Sequence, residues 1–142
     1  HWDSPNPIDR STTIKDDLLL PTKIYQRIIG PLISNKLVVG LSHITGGGIT
    51  ENLPRILPKQ FSFEIDLNQW KLPNLMSWII KKSEMTEKEA LKTFNCGIGM
   101  ICVVPKVNFT DFSQYFHDIS ETFYIIGKIK KNKTNSYQGH LI

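Results

Sequence analysis

His43, Thr45, Gly46, Gly47, Gly48, Glu51, Asn52 and Arg55 fall within one short stretch, "SHITGGGITENLPR". An imidazole is the side chain that exchanges protons near neutral pH. Bare glycine backbone lets an anion reach N–H groups that a Cβ would screen. A guanidinium adds a two-pronged phosphate contact. Glu51 and Asn52 could orient a polar substrate. A glycine turn that leaves a strand and feeds a short helix offers several free N–H groups. The stretch is not a P-loop, because no Gly-Lys-Ser/Thr follows, and it is not a G-x-G-x-x-G motif in a βαβ setting. A tight turn and a structural histidine account for the same residues without any ligand. The residues alone leave both readings open.

The elements around this stretch must place it. "KLVVGLSHI", 36–44, reads as a strand with His43 at its C-terminal end, where open α/β sheets gather their ligands. His43 shares strand parity with Val39 and Leu41. The segment after the glycines reads as a short helix, since Pro54 is tolerated only near a helix start. Upstream, Pro21 suits a first helical turn, and Ile24, Ile28 and Leu32 fall on one face of a helix bent near Gly30-Pro31. "FSFEIDL", 61–67, alternates strictly and predicts a strand with Phe61, Phe63, Ile65 and Leu67 inward. Two helices follow. The first takes Asn74 as N-cap and buries Leu75, Trp78 and Ile79. The second carries the capping box Thr86 with Glu89, stapled by Met85 and Ala90. "GIGMICVVP", 97–105, is apolar on both parities and predicts a central strand covered on both faces. Asn108 caps a helix with Phe109, Phe112 and Phe116 along one side, and "TFYIIGKIK" is the last strand. The pattern predicts an α+β fold, an α/β sandwich: a roughly four-stranded mixed sheet with helices packed on its faces.

Composition sets bounds. The 142 residues are one domain's worth of chain, 40% hydrophobic and 21% charged, and a chain this long can bury about 68–70% of its unfolded surface. The longest apolar runs are too short to span a bilayer. The polar start, with Asp3 and Asp9, is not a signal peptide, and without an initiator Met the chain is expected to be part of something longer. Residues 1–16 read as a linker or arm, and 17–142 as the domain. Cys96 and Cys102 have no metal or redox spacing, so a reduced, cytoplasmic protein is expected, with Cys102 as a small apolar residue. All but Arg10, Arg27 and Arg55 of the seventeen cations are lysines. The run "KIKKNK", 128–133, therefore reads as a solvated strand end rather than a nucleic-acid footprint. His117 reads as a surface residue, and His1 and His140 as terminal ones. No acidic pair flanks the glycine turn, so no metal site is expected within the chain.

Four segments together resemble a known family. "LLLPTKIY", "SHITGGGITENLPRILP", "TFNCGIGM" and "IIGKI" occur in the order and spacing of aminoimidazole ribonucleotide synthetase, also called phosphoribosylformylglycinamidine cyclo-ligase. The resemblance covers residues 17–130 and only the C-terminal half of that family's chain. It implies ATP-dependent closure of the imidazole ring of formylglycinamidine ribonucleotide, in de novo purine synthesis. ATP would activate the formyl amide oxygen, and an amidine nitrogen would close the ring with loss of phosphate. The resemblance also implies an N-terminal domain carrying acidic Mg²⁺- and ATP-binding segments, and a homodimer built through that domain. The active cleft would lie between the domains, with the glycine motif on the C-terminal side. His43 would be catalytic or substrate-orienting, either as a neutral base or as a cation beside a phosphoryl oxygen. Thr45, Gly46, Gly47, Gly48, Glu51, Asn52 and Arg55 would meet substrate or phosphate. Thr22 and Tyr25, in the motif "PTKIY", would meet substrate or phosphate as well, and Asn95 matches the motif "FNCGIGM", where packing and a ligand contact are both open. Neither a nucleic acid nor a membrane is an expected partner. Two other readings stand beside this one: a related ATP-dependent synthase or kinase of the same superfamily, in which Asp commonly replaces His43, and a non-catalytic phosphate- or nucleic-acid-binding module.

Overall fold

The computed structural model describes all residues except Trp2 and Lys133. In chain order the elements are α1 (Ile14–Leu18), α2 (Gln26–Ser34), β1 (Gly40–His43), α3 (Gly48–Asn52), β2 (Ser62–Asp66), α4 (Asn74–Lys82), α5 (Glu87–Thr93), β3 (Met100–Val103), α6 (Phe109–Asp118), β4 (Gly127–Lys130) and β5 (Ser136–Gln138). Helices and strands are interspersed along the chain, and the α+β character expected from the pattern holds.

The sheet does not form as one layer. β1 and β3 make an antiparallel two-stranded ribbon, and β4, β2 and β5 make a separate three-stranded sheet. β2 runs antiparallel to β4 and parallel to β5, so this sheet is mixed. The expected fourth strand is thus joined by a fifth, β5, in a tail with no alternating apolar pattern to announce it. β3 is not central, because it pairs with β1 alone. Its apolar parities are nonetheless used on both faces. Ile101 belongs to a core with Ile44, Ile49, Phe63, Ile65 and Ile80. Met100 and Cys102 pack onto a second core of Ile29, Leu32, Phe112 and Phe116. The ribbon is therefore a partition between two cores.

The helices keep their predicted order but shift in phase. α2 begins at Gln26, not Pro21. Ile24 is 77% exposed, while Ile29 and Leu32 are buried. Ile24 lies in the irregular segment before α2, so the i, i+4 series runs only from Ile28 to Leu32. Pro31 sits inside α2, which continues to Ser34. In α4, Asn74 is the first helical residue and not a side-chain cap. Ile80 and Met76 face the first core, one residue out of phase with the expected Leu75, Trp78 and Ile79. α5 opens on the expected capping box. Glu89 N–H donates to Thr86 Oγ1 at 3.3 Å, and Thr86 N–H to the Glu89 carboxylate at 2.9 Å. Asn108 does not cap α6 with its side chain. Its amide donates instead to the Lys36 carbonyl at 3.0 Å and the Leu37 carbonyl at 3.4 Å, which ties α6 to the chain entering β1.

Phe63 and Ile65 in β2 and Leu67 just after it are buried as expected, while Phe61 just before it is half-buried. Ser62 is buried too, its hydroxyl bonded to Asn132. Lys128 and Lys130 both pair with Glu64, Lys128 at 2.8 Å, so part of the lysine run is neutralised; Lys133 lies outside the described residues. Burial pushes the thiols of Cys96 and Cys102 up to about 11, so both stay protonated at neutral pH. The stretch before α2 carries local order. A Thr13–Asp16 capping box opens α1, and buried Asn6 bonds Asp17. The C-terminal segment is pinned by Glu87, whose carboxylate accepts the N–H groups of Leu141 at 2.7 Å and Ile142 at 3.1 Å. Among the described residues no helix is long and apolar enough to cross a membrane.

The second core rests on clustered aromatics, packed tilted and edge to face. Phe112 lies 4.8 Å from Phe116 and 5.3 Å from Phe123, centroid to centroid. Phe112→Ala is expected to destabilise the fold by about 3–5 kcal/mol, as truncations of buried aromatics do. A urea melt checks it, and a loss below about 0.5 kcal/mol would show that this cluster does not bear on stability.

Candidate functional site

β1 delivers the histidine. Alternation along the strand turns Ser42 inward, where it is buried, and leaves His43 exposed at the strand's end. His43 faces the same side as Leu41, which packs on the second core. Its register partner on β3 is Met100, and the next residue, Ile44, donates its N–H to the Gly99 carbonyl at 2.9 Å. Ile44 is buried in the first core, so the backbone on both sides of His43 is held. Tyr25, at the start of α2, sets its ring against the imidazole, with centroids 5.9 Å apart and planes at 65°. Among the described residues no side chain hydrogen-bonds to His43.

The three glycines do three different jobs. Gly48 opens α3 at φ +56°, and a Cβ there would run into the backbone carbonyls of Leu91 and Phe94. What comes close to this glycine is α5. Gly47 adopts φ +92°, a left-handed turn, and the Glu51 side chain lies beside it. L-residues adopt that conformation at a cost. Gly46 is exposed, with nothing within 4 Å of where a Cβ would stand. Of the three, Gly46 has open space where a Cβ would stand.

Asn52 shapes this loop from within. It is 6% exposed. Its amide nitrogen reaches three carbonyl oxygens: Gly48 at 2.8 Å, Gly46 at 3.1 Å and Thr45 at 3.4 Å. Its oxygen accepts from Arg55 Nη1 at 3.3 Å. The Thr45 carbonyl also accepts the Gly48 N–H at 2.9 Å. The carbonyls are thus gathered inward, while no acceptor among the described residues takes the N–H groups of Gly46 and Gly47. The Asn52 side chain is occupied with the loop itself. Glu51 pairs with Lys92 on α5 at 3.6 Å. Arg55 is exposed, and among the described residues no carboxylate pairs with its guanidinium.

The remaining sequence candidates separate. Thr22 is exposed in the extended segment before α2, and no hydrogen bond among the described residues joins it to the loop. Asn95 accepts the Gly97 N–H at 3.0 Å and so serves its own turn. A cavity of about 700 Å³ opens between β3 and the segment 121–129. Tyr25 and Gly99 line it, but His43 and the glycine loop do not. Its walls are mostly apolar. Two positioning residues had no clear signal in the sequence. The Thr50 hydroxyl donates to the Leu91 carbonyl at 3.1 Å and therefore accepts from Tyr137, 2.9 Å away, tying α3 to both α5 and β5. Burial raises the Tyr137 phenol, although the Thr50 bond works the other way. Gly99 is the second, seated under Tyr25. Among the described residues no three His, Cys, Asp or Glu side chains gather as a metal site would require.

The profile of the family described as "AIR synthase related protein, C-terminal domain" matches residues 1–139. The chain belongs to this family. It is 37% identical over 132 residues to the phosphoribosylformylglycinamidine cyclo-ligase of Chromobacterium violaceum, covering 93% of this chain and 38% of that protein. It is 36% identical over 132 residues to the bifunctional purine biosynthetic protein PUR2,5 of Pichia angusta, covering 93% of this chain and 17% of that protein. Against the bifunctional purine biosynthetic protein ADE5,7 of Saccharomyces cerevisiae the identity is 34% over 130 residues, covering 92% of this chain and 16% of that protein. The chain thus spans less than half the length of these curated relatives. Membership agrees with the four motifs read from the sequence.

Within this AIR synthase related domain the glycines separate packing from access. Gly48→Ala places a methyl against α5 backbone at a left-handed φ and is expected to cost more than about 2 kcal/mol. Gly46→Ala meets open space and is expected to change stability by less than about 0.5 kcal/mol. Parallel denaturant melts check the pair, and equal losses would contradict the division of labour.

Proposed function

We propose that this chain is the C-terminal domain of a phosphoribosylformylglycinamidine cyclo-ligase. Residues 17–142 form the domain, and 1–16 are the arm from an N-terminal domain. The whole enzyme closes the imidazole ring of formylglycinamidine ribonucleotide at the expense of ATP, in cytoplasmic purine synthesis, as a homodimer. The observation that carries this reading is the pairing of an exposed imidazole with a glycine loop whose carbonyls are turned inward. A phosphate, from the ribonucleotide or from ATP, approaches at Gly46, where no side chain stands in the way. The free N–H groups of Gly46 and Gly47 meet its oxygens. Arg55 supplies a positive edge next to the same loop. Gly47, Gly48 and Asn52 hold the loop in shape, and Thr45 contributes one of the gathered carbonyls.

His43 then stands where ring closure needs a proton acceptor or a cation. Among the described residues no side chain occupies either ring nitrogen, so one can take the proton from the attacking amidine nitrogen, or both can face a phosphoryl oxygen. ATP supplies the phosphoryl group that activates the amide oxygen. The residues present do not fit a divalent cation, so no step here runs through one. In this reading the Mg²⁺ ligands lie in the N-terminal domain.

Two outcomes follow. In the two-domain enzyme, His43→Ala is expected to lower turnover by about 10²–10⁴-fold, the range of general acid–base groups. Near-normal turnover across the neutral pH range would return His43 to a structural role. The 142-residue chain alone is expected to show no ATP-dependent ring closure, because phosphoryl transfer rests on metal and phosphate positioning. Adding the N-terminal domain, in cis or in trans, is expected to restore activity. Product formation by the isolated chain would overturn the reading.

A further inference from the structure

His43 has a free imidazole and a fixed backbone, so something other than a hydrogen bond must set its ring. Catalytic and metal-bound histidines usually gain orientation by donating one ring N–H to a carboxylate or carbonyl. Here no such partner exists among the described residues. What touches the ring is Tyr25, edge to face at 5.9 Å.

Tyr25 is itself held at both ends. Its backbone carbonyl accepts the N–H groups of Ile28 at 3.0 Å and Ile29 at 2.9 Å, which anchors it to the first turn of α2. That helix is fastened by Ile29 and Leu32 in the second core. At the other end, the Tyr25 hydroxyl fills the place where a side chain at residue 99 would begin, and the ring carbon bearing it lies 3.1 Å from that point. Gly99 has no left-handed φ to explain it. Room for Tyr25 is the steric reason this position is bare. Gly99 also receives the Ile44 N–H, so the residue beneath Tyr25 and the residue after His43 are bonded to each other.

We propose that Tyr25 is the positioning residue of His43, and that Gly99 is its seat. The aromatic edge fixes the imidazole plane while leaving both nitrogens for substrate. The catalytic consequence rests on the reading of His43 given above; the positioning does not.

The test reads the histidine directly. Ring C–H resonances of His43 are recorded by NMR in this chain and assigned with His43→Gln. His117 and His140, 84% and 83% exposed at their side chains and each beside a carboxylate (Asp118 at 3.6 Å, Glu87 at 3.5 Å) but with no aromatic ring against them among the described residues, serve as exposed references. Gly99→Ala is expected to drive the Tyr25 ring off its seat and move the His43 resonances toward those references. Adding Tyr25→Phe removes the colliding oxygen, leaves only a few tenths of an ångström to absorb, and is expected to return them to their original positions. Should Gly99→Ala fail to fold, Tyr25→Leu removes the aromatic edge without touching β3 and is expected to release His43 in the same way. Resonances that stay put in a folded Gly99→Ala or Tyr25→Leu chain, or that the double variant fails to restore, would overturn the proposal. In the two-domain enzyme, Gly99→Ala is expected to lower kcat by about 10-fold or more with KM changed by less than about twofold, and Tyr25→Phe in that background to recover most of the loss. Resonances that move as expected while kcat does not would support the positioning and count against the catalytic role of His43, so the two readings fail separately.

Discussion

The β1–β3 ribbon is buried from both sides, and the candidate site depends on that double burial. Two strands alone are marginal in water. Here Ile44 and Ile101 join one core while Leu41, Met100 and Cys102 pack on the other. Slipping the register by one residue would exchange the two faces. His43 would then turn inward and Ser42 outward. The two cores differ in shape and contents, so neither tolerates the exchange. The histidine's exposure is thus a consequence of apolar packing several residues away.

How much of this was legible in the sequence varied with the kind of signal. Element types and order were readable because β2 alternates cleanly and the Thr86–Glu89 box is local. The double coverage of β3 was readable because both of its parities are apolar. Pairing partners were not, since periodicity says which face is buried and nothing about which neighbour lies alongside. β5 escaped because Tyr137 is the lone large apolar residue of a three-residue strand. Helix phase failed in α4, where Leu75, Met76, Trp78, Ile79 and Ile80 offer two overlapping stripes. For the site, His43 and the glycines stood out by type. Gly99 did not, because the reason for a bare residue there is a tyrosine hydroxyl far away in the chain.

Charge has a small place in this arrangement. Both thiols are held protonated by burial. Glu64 takes up two lysines of the basic run, which weakens the case for a polyanion footprint there. Glu51, the acid nearest the loop, pairs with Lys92. The loop therefore presents backbone N–H groups and the Arg55 edge, with the Glu51 carboxylate beside Gly47 shared with Lys92. That suits an anion held by directed hydrogen bonds more than one drawn in by a broad positive field.

The glycine triplet shows why a motif of one residue type need not have one cause. Gly48 is bare so that α3 can lie against the carbonyls of α5, and Gly47 is bare so that the chain can turn through a positive φ. Neither demand mentions a ligand. Yet together they set where Gly46 points, and Asn52 completes the arrangement by drawing three carbonyls inward. A backbone N–H can meet an anion only if the neighbouring carbonyl dipoles are turned away, since an inward amide and an outward oxygen would repel the charge it must hold. The packing of α3 on α5 thereby does electrostatic work. It fixes the loop before any ligand arrives, so little ordering is left to be done on binding. In that sense the two packing glycines are as much a part of the candidate site as the open one.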